Sequence, residues 1–145
     1  MRIRLLLFSV LLAGSLWAQG DATPAVKYFG HDEVAAALSH SGTLMRQPDF
    51  LIMGSHRAEA GHVEMHDKET DIFYVTDGAA TFITGGKMVG GHVTGPGQWI
   101  GTDIVGGEVH HLIKGDVIVI RAGTPHWFKE VPHSVNYFVV KVVKQ

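Results

Sequence analysis

The chain has 145 residues, is 46% hydrophobic and 18% charged, and carries a formal net charge of −2, with 18 glycines, ten histidines and no cysteine. One domain accounts for that length, and the apolar content argues against disorder. Without cysteine there are no disulfides, no thiolate chemistry and no cysteine-ligated metal, and the acidic balance leaves no electrostatic case for nucleic acid, which needs a basic surface to displace counterions.

Residues 1–20 read as a secretory signal peptide. Arg2 and Arg4 form a basic head, residues 5–12 are an apolar run broken only by Ser9, and small residues follow at Ala18 and Gly20. The run is shorter than the ~20 residues a spanning helix needs, although an uncleaved N-terminal anchor is the alternative. Cleavage fits after Ala18 or after Gly20. The expected address is therefore the periplasm or the cell exterior, with no membrane attachment after cleavage. Without Arg2 and Arg4 the net charge becomes about −4.

Residues 21–49 read as a lead-in with one short helix over 32–38, which has acids at its start and Gly42 beyond its end. From residue 50 the pattern changes to short runs rich in Val, Ile, Phe, Tyr and Thr: 50–53, 62–66, 72–76, 79–84, 109–113, 117–120 and 135–143. These predict strands. Asp77-Gly78 is a hairpin signal, and Lys114-Gly115-Asp116 reads as a second tight turn. Residues 85–107, with nine glycines plus Pro96, Gln98 and Trp99, read as a long excursion. Seven or more short strands without internal repeats predict an all-β antiparallel sandwich or barrel over 50–145.

Histidine and acid concentrate between Gly61 and Asp71. On a strand, His62, Glu64 and His66 share one face and Val63 and Met65 the other. A turn through 67–70 then returns Asp71 to the neighbourhood of His66. Imidazole nitrogen with carboxylate oxygen suits Mn, Fe, Ni or Zn; the competing reading is a solvated charged turn. About sixty residues later, an apolar strand runs through Gly123-Thr124-Pro125 to His126, flanked by Trp127 and Phe128. Alone, His126 reads equally as a packed histidine bonded to backbone.

Together these segments resemble the two motifs of the cupin superfamily, in the form of a small exported single-domain cupin. The first motif runs Gly, five residues, His-x-His, three or four residues, Glu, six residues, Gly. With its last glycine on Gly78, its acid falls on Asp71, its second histidine on His66 and its first on Glu64. The second motif matches Gly115, Gly123 and His126, with Arg121 in a proline position. The resemblance covers residues 50–143. It implies a jelly-roll β-barrel with one divalent metal ion inside, held by Glu64, His66, Asp71 and His126, two carboxylates and two histidines in place of three histidines and a glutamate. Asp71 is one methylene shorter than glutamate, so a water-bridged contact is an option for it. Three alternates stay open: His62 on the same face as Glu64, Glu69 from the turn, and His110 on a later strand. A looser group of small single-domain cupins shares the acid-x-His…Asp-x-Phe-Tyr-Val pattern and the Thr84-Gly85-Gly86 run.

On this reading Phe73, Phe82, Trp127 and Phe138 form core or pocket wall, and Trp99 with Gln98 covers the barrel mouth. Arg57 and Arg121 are candidates to face an anionic ligand. The tail 139–144 suits a strand buried on both sides, as at a homodimer interface. Cupins of similar build catalyse dioxygenation, isomerisation, decarboxylation and lyase reactions. The expectation is a metal-dependent enzyme on a small organic molecule, against a non-catalytic module binding a small ligand or metal, and against a purely structural barrel.

Overall fold

The computed structural model describes residues 24–144, so the expected signal peptide lies outside the described residues. The short helix forms where its acidic start placed it, as α1 (His31–His40). Ser41 ends it in the left-handed conformation, and the Gly42 N–H donates to the Ala37 carbonyl at 2.9 Å. No helix among the described residues is long and apolar enough to cross a membrane.

Strands follow in chain order: β1 (Thr43–Arg46), β2 (Phe50–Arg57), β3 (Val63–His66), β4 (Glu69–Thr84), β5 (Lys87–Val89), β6 (His92–Gly95), β7 (Gln98–Gly101), β8 (Asp103–Val105), β9 (Glu108–Ile113), β10 (Val117–Ile120), β11 (His126–Glu130) and β12 (Val135–Val143). All the pairings are antiparallel. Two sheets share β4. Its first half lies in the order β1-β2-β12-β4-β10, and its second half in the order β9-β4-β11-β3-β7-β6. The all-β antiparallel jelly-roll expectation therefore holds, with a short helix before it.

Of the two predicted turns, only the second forms. Asp77-Gly78 does not reverse the chain, because β4 runs through it as one 16-residue strand. Lys114–Asp116 is a true local turn, with the Asp116 N–H donating to the Ile113 carbonyl at 3.1 Å. It too leaves the direction unchanged. β9 pairs with residues 79–84 and β10 with residues 71–74 of the same β4. Between them the Gly115 N–H donates to the Val75 carbonyl at 2.8 Å, and the Val75 N–H donates to the Asp116 carbonyl at 2.9 Å. Both Asp-Gly and Gly-Asp thus mark one shared kink in two adjacent strands, where a bulge bends the ladder from one sheet into the other. A bulge and a hairpin turn place the same demand on glycine, a positive φ, so composition alone did not separate them.

The kink also resets which face looks inward. Asp71, Phe73 and Val75 are buried before it, and Ala80 and Phe82 after it, a change from odd to even positions. The core formed this way is aromatic: Phe73, Phe82, Phe128 and Tyr137 contact one another with ring centroids 4.6–6.0 Å apart.

Other expectations need correction. The excursion at 85–107 contains four short strands. Of these, β5 and β8 form a small ribbon, and Met88 and Ile104 from it pack on Val63, Ile83 and Trp127 outside the barrel. Trp127 is therefore not a pocket wall. β12 is hydrogen-bonded on both edges, to β2 and β4, so it is an interior strand of its sheet. It alternates cleanly, with Val135, Tyr137 and Val139 buried inward, which turns Phe138 to the outer face.

The kink yields a stability test. A Cβ on Gly78, at φ +78°, would lie 2.0 Å from the Ser134 carbonyl oxygen, whereas one on Gly115, at φ +98°, meets nothing within 4 Å. Gly115→Ala is expected to cost about 1–2 kcal/mol from backbone strain alone, and Gly78→Ala clearly more, measured by urea unfolding. Equal losses would contradict the shared-kink geometry.

Candidate metal centre

β3 supplies Glu64 and His66 to one face while Val63, fully buried, packs on the other. Across the sheet, Glu64 is the register partner of His126 in β11, and His66 that of Gln98 in β7. The turn before His126 is stitched to β3, because the Gly123 N–H donates to the His66 carbonyl at 2.7 Å. Asp71 enters from β4. Its Oδ2 lies 3.5 Å from His66 Nε2 and 3.8 Å from His126 Nε2, and Glu64 Oε2 lies 3.9 Å from His66 Nε2. Two groups of potential ligand atoms result, each within 4.8 Å: Glu64, His66 and His126; and His66, Glu69 and Asp71.

The histidine tautomers follow from their second partners. His66 Nδ1 lies 2.6 Å from Gln98 Oε1, and His126 Nδ1 lies 3.1 Å from the Thr124 carbonyl. An amide oxygen and a carbonyl only accept, so both Nδ1 atoms donate, and in the neutral rings both Nε2 atoms carry the lone pairs, turned toward the carboxylates. His66 Nε2 is buried and has no hydrogen-bond partner. Its 3.5 Å approach to Asp71 is electrostatic contact, longer than a good hydrogen bond.

The two imidazoles are pushed in opposite directions. Burial holds the His126 pKa down, against weaker support from the Thr124 carbonyl and the Asp71 and Glu64 charges. Burial also pulls on His66, but Asp71, with Glu69, outweighs it and the Lys141 charge, and the pKa rises above 6.5. Asp71 is 2% exposed. Burial alone would raise its pKa, yet His66 and Lys141 together hold it below the ordinary carboxylate value.

Lys141 is the residue that the sequence reading missed. It sits on β12 directly opposite Asp71 and continues the inward series Val135, Tyr137, Val139. Its Nζ donates to Asp71 Oδ1 at 2.8 Å and Oδ2 at 2.9 Å, and lies 3.0 Å from Glu69 Oε2. Glu69 Oε1 in turn accepts from Gln98 Nε2 at 3.1 Å. The second candidate group therefore already encloses an ammonium. Counting alternation forward from Val135 would have found it.

No family model and no curated protein matches the chain. Solved structures do. The cupin domain of Schizosaccharomyces pombe Cnp3 aligns with TM-score 0.51 and 10% identity over 71% of this chain and 59% of that one. A Streptococcus pyogenes protein of unknown function aligns with TM-score 0.50 and 16% identity over 71% and 72%. A Bacillus halodurans protein aligns with TM-score 0.50 and 13% identity over 71% and 69%. The chain has the cupin fold. At these identities the likeness concerns architecture and carries no activity with it.

Inside this cupin barrel the remaining candidates divide. His62 is exposed but lines, with Arg57, Glu64, Phe73 and His126, a cavity of about 30 Å³. Glu69 is drawn in by Lys141. His110 bonds to Thr84 Oγ1 at 2.8 Å and belongs to neither ligand group. Phe73 walls the cavity and Phe82 packs against His126, with ring centroids 6.1 Å apart. Gln98 faces the site as expected, but its neighbour Trp99 points to the other face, donating to Asp67 Oδ1 at 2.9 Å. Arg121 is exposed. Arg57 covers the cavity, its guanidinium 4.9 Å from the Phe128 ring centroid and 3.9 Å from Glu64 Oε1.

The lowered Asp71 pKa fixes the sign of an acid response. Its ionised form contributes stability above pH 3.8, the unfolded value, and that contribution fades as pH falls through the lower folded value. In metal-free protein, unfolding free energy measured from pH 5 downward should drop more steeply for wild type than for Asp71→Asn. Parallel curves would show that the pair does not carry this charge.

Proposed function

We propose that this cupin binds one divalent cation through Glu64, His66 and His126, and uses it on a small organic molecule approaching from the side of Arg57 and His62. The observation that carries the reading is the buried, unpartnered Nε2 of His66, turned with His126 Nε2 toward carboxylate oxygens. An orphaned buried acceptor costs stability unless something completes it, and both rings are held in the metal-binding tautomer by their Nδ1 partners. Two imidazoles and one carboxylate suit Mn, Fe, Ni or Zn and leave coordination positions for water or ligand. When bound, such an ion supplies Lewis acidity or, for a redox metal, electron transfer. The chain's own contribution is positional: Arg57 offers a cation to an anionic group beside Glu64, while Phe73 and Phe128 keep the inner wall dry.

A second reading, a metal-binding module without catalysis, is favoured by the size of the cavity. About 30 Å³ admits a water or an ion and no organic molecule. In either reading the protein is exported, on the basic head and apolar run of residues 1–20.

Elemental analysis of protein purified without added metal tests the common part. His66→Ala and His126→Ala should each lose stoichiometric metal while the barrel stays folded; full retention by both rejects the site. Glu64→Gln should weaken binding more than His62→Ala does, and the reverse order would move the ligand to His62. Metal affinity should weaken as pH falls, because a proton on His66, favoured there by Asp71, competes with the ion for Nε2. Turnover or oxygen uptake across small carbonyl and phenolic compounds separates enzyme from binder.

A further inference from the structure

We infer that Lys141 sets the charge and coordination of the metal site by withholding Asp71 from the ion, an inference that rests on the metal reading above. The Lys141 ammonium donates to Asp71 Oδ1 at 2.8 Å and to Asp71 Oδ2 at 2.9 Å, and it forms an ion pair with Glu69 Oε2 at 3.0 Å. Both oxygens of Asp71 are thus held by a resident cation. The same Asp71 Oδ2 is the carboxylate atom 3.5 and 3.8 Å from the two Nε2 atoms. A divalent ion on those nitrogens and the Lys141 ammonium are like charges competing for one acid.

Lys141 is placed for this role by the fold. It is the Cα partner of Asp71, on the inward face of an interior strand, and its side chain is only 17% exposed. It also reaches the ligand shell by a second route. Glu69 Oε1 accepts from Gln98 Nε2 at 3.1 Å, and Gln98 Oε1 accepts from His66 Nδ1 at 2.6 Å. The ammonium therefore both withholds one carboxylate and anchors the chain of hydrogen bonds that orients His66. With Lys141 in place the ion has three protein ligands and open positions. Without it, Asp71 becomes a fourth ligand.

Isothermal titration of metal-free full-length protein with Mn²⁺ and with Zn²⁺ tests this, together with the visible absorption of bound Co²⁺, which responds to coordination number. Lys141→Met should bind about tenfold or more tightly than wild type and alter the Co²⁺ spectrum. Lys141→Arg should retain wild-type affinity, and Lys141→Met with Asp71→Asn should return to it. A residue with only a structural role would give the opposite sign, since a loosened site binds metal more weakly. Should Lys141→Met not fold, Lys141→Gln, which keeps an N–H donor for Asp71, carries the same expectation. Unchanged or weaker binding by the folded variant, or a gain that persists without Asp71, overturns the inference while leaving the metal reading standing. Absence of uptake in every form overturns the metal reading and this inference together.

Discussion

The site exists because one strand passes through both sheets. β4 carries Asp71 in its first half and Phe82, which packs against His126, in its second, and both point inward only because the bulge at Thr76, just before Asp77-Gly78, shifts the alternation by one residue. The neighbouring strands follow the same bend: β9 and β10 kink at Gly115, and β11 and β12 at residues 131–134. Pairing along β4 then sets His126 opposite Thr84 and Lys141 opposite Asp71, at the two ends of one strand. The register partner of His126 on its far side is Glu64. Backbone pairing thus fixes which side chains meet.

Electrostatics then separates the two acids that sequence alone treats as equivalent. A carboxylate buried as fully as Asp71 is unfavourable unless a cation compensates it, and Lys141 does so at hydrogen-bonding distance. Glu64 has a side chain 41% exposed and faces the Arg57 guanidinium only at 3.9 Å. Solvent carries much of its charge, and its oxygens are the less committed. The acid that is best buried is therefore the one least available to an incoming ion.

Much of this was legible in the chain. The alternation His62, Glu64, His66 placed the last two on one face, and the resemblance of the second segment to a cupin motif put His126 beside them. The strand periodicity left a choice of antiparallel sandwich or barrel, and the resemblance to the cupin motifs decided for the barrel. What was not legible came from residues whose local signal has two meanings. Asp-Gly serves a hairpin and a bulge equally, so pairing partners decide. The glycine-rich stretch 85–107 has too few consecutive apolar residues to announce strands of three or four residues, which form only because β3 and β8 offer them edges. Val139-Val140-Lys141-Val142-Val143 reads as an apolar run with a solvated lysine, and the tertiary context that turns that lysine inward lies seventy residues away at Asp71.

The small cavity and the open ligand set pull toward different functions, and Arg57 is where they meet. The aromatic packing of Phe73, Phe128 and Tyr137 closes the barrel from below, and the guanidinium lies across Phe128 from above, leaving room for about one water. Arg57 Nε is buried there without a hydrogen-bond partner. That cover is therefore incompletely satisfied in polar terms. The guanidinium also meets Glu64 Oε1 at 3.9 Å and the Tyr137 hydroxyl, so Nε is the part of it left without an acceptor. The guanidinium that makes the cavity small therefore also carries the polar group left open to an acceptor, so cavity volume and ligand recognition depend on the same side chain.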